Sequence, residues 1–64
     1  MDSYLVEVEN TIAIFRLLKR GCIVTKPPCL NGMYLVQTRF SKTYLNRQKH
    51  ITYVERVNHE QIHC

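Results

Sequence analysis

The dipeptide Asn31-Gly32 limits what this chain can fold into more than any other local feature. Both residues tolerate positive φ, so the pair suits a tight type I′ hairpin turn. A strand is expected to leave the turn over Met33 to Phe40, with Tyr34, Val36 and Phe40 on one face. Cys22-Ile23-Val24-Thr25 reads as the strand that enters it. Lys26-Pro27-Pro28 ends that strand, because proline supplies no ladder donor. The prolines argue against a perfect hairpin, so a bulge or an edge strand is expected before the turn.

The N-terminal segment has two readings. Tyr4-Leu5-Val6-Glu7-Val8-Glu9 alternates like a half-buried strand. Leu5, Val8, Ile12 and Phe15 instead recur at helical steps, with Glu9, Ala13, Arg16 and Arg20 on the opposite face. We read one helix from about Tyr4 to Arg20, capped by Ser3 and stopped at Gly21; a strand followed by a short helix competes with it. Ser41 to Lys49 is polar and basic, a loop or a helical turn capped by Ser41. Ile51 to Val57 resumes strand alternation, with Ile51, Tyr53 and Val57 on one side, and Asn58 caps a last turn over His59 to Cys64. The expected class is α+β: an N-terminal helix packed on a small, mostly antiparallel three-stranded sheet, with a short C-terminal helical turn.

The 64 residues make a single domain, 1–64, and a chain this short buries only ~60% of the surface its unfolded form exposes. The longest apolar run, Ile12-Ala13-Ile14-Phe15, falls far short of the ~20 residues of a membrane-spanning helix. Three cysteines, an odd number, suit a reducing compartment, so a cytoplasmic location is expected.

Function is read from charge. Between Thr11 and His50 lie eight basic residues and no acid, whereas the five carboxylates, Asp2, Glu7, Glu9, Glu55 and Glu60, all lie outside. The formal charge is −3 for residues 1–10, +8 for 11–50 and −1 for 51–64. Such a field attracts polyanions. The residues expected to contact nucleic acid or an acidic partner are Arg16, Lys19, Arg20, Arg39, Lys42, Tyr44, Arg47 and Lys49. Tyr44 has the least core-like setting of the aromatics and is the candidate for stacking on a base. Phe40 and Tyr53 are expected in the core.

Other chemistries find less support. Cys22, Cys29, His59 and His63 form the only candidate structural zinc set, joined by Cys64, with His59 and His63 one helical turn apart. The six residues between Cys22 and Cys29 exceed the usual ligand spacing. A Cys22–Cys29 disulfide is conceivable in geometry but at odds with a reducing compartment, and His50 has no obvious partner. No Gly-rich phosphate loop and no general acid/base pair is present, so no enzyme is expected. Arg16, Lys19 and Arg20 beside Phe15, Leu17 and Leu18 resemble an interfacial membrane helix, but only over its last turns, and no membrane partner is expected. The expected function is a small non-catalytic basic module that binds nucleic acid without sequence specificity. The alternative is a protein-binding regulator or inhibitor that docks on an acidic surface of a larger enzyme or assembly, as phage or mobile-element effectors and small subunits do.

Overall fold

The computed structural model describes residues 1–62, apart from the side chain of Gln61. Its elements are β1 (Asp2–Val8), α1 (Ile12–Lys19), β2 (Ile23–Thr25), β3 (Tyr34–Thr38), α2 (Lys42–Asn46) and β4 (Ile51–Val57), with 3-10 turns at Pro28–Leu30 and His59–Gln61. The class is α+β as expected, but the sheet has four strands in the order β2-β3-β1-β4, all neighbours antiparallel.

The additional strand is β1, which replaces the first half of the expected helix. Tyr4 and Val6 point to one side and are 3% and 0% exposed. That inward alternation, bonded on both edges to β3 and β4, outweighs the helical recurrence of the same segment. Ser3, expected as a helix cap, is a buried residue of β1. The helix begins later, where Asn10 Oδ1 accepts a hydrogen bond from the Ile12 N–H at 3.0 Å. It ends as expected at Gly21, whose φ is +88°. Cys22 N donates to Leu17 O and Gly21 N to Leu18 O, each at 3.1 Å, the paired bonds of a Schellman stop.

The later start changes the helix phase. Ala13, Ile14 and Leu17 are buried, while Ile12 and Phe15, expected on the core side, face outward. Leu5 and Val8, which set the expected phase, belong to a strand and carry no helical period at all.

Asn31 and Gly32 both take positive φ, +57° and +89°, and Met33 N closes the turn onto Leu30 O at 3.1 Å. The turn caps a longer connection that also holds the Pro28–Leu30 helical turn, so the hairpin of β2 and β3 is not a two-residue one. In α2, Ser41 Oγ accepts from Tyr44 N at 3.1 Å, the expected cap. On β4 the register with β1 shifts between Glu7 and Val8, placing Tyr53 opposite Glu7 and Ile51 opposite Val8. Ile51 therefore packs toward the core while Tyr53, expected there, is 44% exposed.

Ile14, Leu17 and Leu45 join Tyr4, Val6, Val36 and Val54 in one buried cluster. Both helices thus pack on the same face of the sheet, in the β-α-β-β-α-β order of a split βαβ unit. Such a topology hosts many unrelated functions and names none by itself.

Candidate functional site

Strand order sorts the charges. β1 and β4 are hydrogen-bonded neighbours, so the two acid-bearing ends of the chain meet. Four of the five acids, all but Glu60, have a side-chain partner there among the described residues. Asp2 Oδ1 accepts from Arg56 at 3.1 Å, and Glu9 Oε1 lies 3.0 Å from His50 Nδ1. His50, which had no obvious partner in the sequence, is also fixed through its carbonyl, which accepts from Glu9 N at 2.9 Å. Glu7 Oε1 accepts from Thr52 Oγ1 at 3.1 Å. Glu55 accepts from the Tyr53 hydroxyl. That hydrogen bond, then desolvation, then the Glu55 charge raise the Tyr53 pKa above 10.0.

The bases are not answered. Among the described residues carboxylates meet Arg56 and the His50 imidazole, the latter an ion pair only when protonated, and none of the eight bases between Thr11 and His50 meets a carboxylate. All eight are exposed. Arg16 and Lys19 lie on α1, Arg20 caps it, Lys42 lies on α2 and Arg47 caps it. Arg39 leads into α2 and Lys49 follows it. Seven of the eight expected contact residues are therefore cations carried by the two helices, which pack on one face of the sheet, and by their flanking turns. Lys26 is set apart, with its Nζ 5.2 Å from the centre of the Tyr34 ring.

Sequence reasoning set Phe15 and Leu18 beside the cations only as a membrane-like helix and did not assign an apolar part to this surface. Ile12, Phe15 and Leu18 are 41%, 60% and 47% exposed along α1. They share the outer side of the helix with Arg16 and Lys19. The available signal was the run of Arg16, Lys19 and Arg20 beside Phe15 and Leu18, once the helix start is moved to Ile12.

A second feature forms where α1 ends and β3 exits. Thr38 Oγ1 accepts from the Phe40 N–H at 3.1 Å and from Cys22 Sγ at 3.3 Å. This buried hydroxyl ties the turn bearing Arg39 to the segment that follows Arg20. The result is a cleft of about 410 Å³ lined by Met1, Arg20, Gly21, Thr38, Arg39 and Phe40. No acid lines it. The larger cavity, about 640 Å³, lies around the Asp2–Arg56 pair and mixes both signs. A third groove, on the open face of the sheet, has Glu7 and Glu55 beside Leu5, Met33 and Tyr53.

The remaining expected residues are placed as follows. Tyr44 stacks on Phe40 with ring centroids 4.2 Å apart, and both pack against the core. One face of the Tyr44 ring is thus already covered, which corrects its reading as an open stacking platform. Tyr53 stands on the acidic side of the molecule. Of the candidate zinc set, Cys22, Cys29 and His59 are described, and they do not gather around one point. Cys22 is a buried free thiol bonded to Thr38, Cys29 is disulfide-bonded, and His59 Nδ1 faces the Gln37 amide at 3.4 Å. Because Cys22 is free, a Cys22–Cys29 bond is not formed. His63 and Cys64 lie outside the described residues. Among the described residues no three metal-ligating side chains gather. No helix is long and apolar enough to cross a membrane.

No family of known proteins, no curated protein and no solved structure matches this chain.

Proposed function

We propose that this chain is a non-catalytic binding module that docks its helix layer on an acidic surface of a partner protein. The carrying observation is the outer side of α1, where Ile12, Phe15 and Leu18 are exposed among cations that no carboxylate neutralises. Large apolar side chains at the centre of a charged patch are what a protein interface uses as anchors. The surrounding Arg16, Lys19 and Arg20 would steer an acidic partner into register and raise the association rate. A regulator or inhibitor of a larger enzyme or assembly is the form this role takes.

The nucleic-acid reading retains one specific support, the set of unpaired cations on the two helices and their flanking turns. Phosphate contacts need no exposed Phe15 or Leu18, and Tyr44 is engaged with Phe40. These points move the protein reading ahead. The proposed setting is the cytoplasm, supported by the free Cys22 thiol; the Cys29 disulfide points the other way, toward an oxidising compartment.

Affinity capture after nuclease treatment, with wild type beside Phe15→Ser/Leu18→Ser, tests the proposal. A protein retained by wild type and lost by the double variant is expected. Recovery of nucleic acid alone, with both forms shifting DNA or RNA equally and with a log K against log salt slope near about −5, would overturn it in favour of phosphate binding.

A further inference from the structure

The cleft between the end of α1 and the exit of β3 differs from the rest of the basic surface. Neither of the other two cavities brings two Lys or Arg side chains together. Here Arg20 and Arg39, from two separate elements, line one concavity of about 410 Å³. Arg20 has a local reason to be there: a cation at a helix C-terminus is favoured by the dipole, and its Nη1 reaches Arg16 O at 3.5 Å. Arg39 has no such reason. Among the described residues it makes no ion pair, and it is held at the rim by the turn that Thr38 Oγ1 fixes.

From this we infer that the cleft is a binding subsite for a phosphate monoester, held by Arg20 and Arg39. The inference rests on the docking reading only in that both use the basic side of the molecule. A single guanidinium fork satisfies a carboxylate, whose two oxygens it meets in parallel. Two guanidinium groups on one cleft suit a group with three terminal oxygens and a charge near −2, which a monoester carries at neutral pH. A phosphodiester offers only one charge and two free oxygens. The cleft also has room for more than the phosphoryl group, since its volume is on the order of ten waters. Phe40 and Met1 give it an apolar wall for the group that carries the phosphate. The source of that phosphate is either a small phosphorylated molecule or a phosphorylated side chain of the docked protein.

Backbone amide NMR of the intact chain distinguishes the outcomes. Three probes are titrated at constant ionic strength: inorganic phosphate, free phosphoserine, and a phosphoserine peptide with its unphosphorylated counterpart. Saturable shifts are expected at Gly21 and Thr38 to Phe40, weakened at least about tenfold by Arg39→Gln, as loss of a charge-assisted bond requires. Lys49→Gln, at the far end of α2, should leave them within about twofold. Tighter binding of the peptide than of phosphoserine assigns the phosphate to a protein, and equal binding assigns it to a small molecule. Shifts spread evenly over all the bases, or a phosphodiester dinucleotide binding as tightly as phosphoserine, would overturn the subsite. Phe15→Ser/Leu18→Ser separates the two proposals. It removes protein docking but leaves phosphate binding in the cleft unchanged, so either can fail alone.

Discussion

The pair β1–β4 and the helix layer carry charge in opposite ways. On the strand pair, Asp2, Glu7, Glu9 and Glu55 each have a partner within the fold. On the helix layer, no cation has a carboxylate partner among the described residues. The acids thus help to align the two strands, while the bases contribute nothing comparable to the fold. A set of like charges that repel one another and gain no internal partner is retained against a cost in stability. That cost is understandable if the charges face outward to a ligand. The same contrast runs through α1 itself: Leu17 is 1% exposed and Phe15, two residues earlier, is 60% exposed.

The largest expected effect tests this contrast within α1. Leu17→Ala should cost about 2–5 kcal/mol, because a fully buried leucine leaves a cavity that its neighbours fill only in part. For a chain of 64 residues, that is a large share of a total of about 3–10 kcal/mol. Phe15→Ala should change stability by about 0.5 kcal/mol or less. Urea denaturation of both variants measures the difference. Equal losses would mean that Phe15 is a packing residue, and the docking surface would lose its anchor.

A smaller effect separates acids from bases. Asp2→Asn breaks an exposed ion pair with Arg56, and Glu9→Gln alters the contact with His50, which is an ion pair only when the imidazole is protonated; each should lower stability by about 0.2–1 kcal/mol, the first less at high salt. Arg39→Gln and Lys42→Gln break none, and neither lies in the last turn of a helix, so they should leave the unfolding midpoint unchanged or slightly raised. Should the base variants prove as destabilising as the acid variants, the cations are structural and the comparison fails.

The sequence made some of this legible and hid the rest for identifiable reasons. The turn at Asn31-Gly32, the stop at Gly21 and the cap at Ser41 were readable, because each depends on the backbone freedom or the hydroxyl of a single residue. β1 was misread because Leu5, Val8, Ile12 and Phe15 fit a helical period across a real strand–helix boundary. Only pairing with β3 and β4, which are distant in sequence, decides for the strand. Tyr53 was misplaced because it was put on one face with Ile51: it alternates outward from the buried Val54, and the register shift opposite Glu7 and Val8 turns Ile51, not Tyr53, toward the core. The basic residues were all named in advance, since charge runs need no three-dimensional information. Of their apolar companions, Phe15 and Leu18 were named only as part of a membrane-like helix and Ile12 not at all as a contact, because which side of α1 faces outward depends on where the helix starts. That Arg20 and Arg39 line one cleft goes with the contact between residues 22 and 38, which no local pattern announces.

The finest test lies on the acidic side, at Tyr53. Its hydrogen bond to Glu55, with lesser help from desolvation and from the Glu55 charge, raises its pKa above 10.0. The raised value means that the folded state favours the neutral phenol. The associated stabilisation is therefore complete below pH 10.0, the unfolded value, and is lost as pH rises through the folded value. Ultraviolet titration of Tyr53, by difference against Tyr53→Phe, should show the phenolate appearing later than in an unstructured tyrosine. Glu55→Ala removes both the acceptor and the charge, so the titration should return toward 10.0. Unchanged titration in Glu55→Ala would mean that Tyr53 and Glu55 are not paired in solution, leaving Glu55 unanswered like the bases across the sheet. The distinction between satisfied acids and unsatisfied bases would then narrow to Asp2, Glu7 and Glu9.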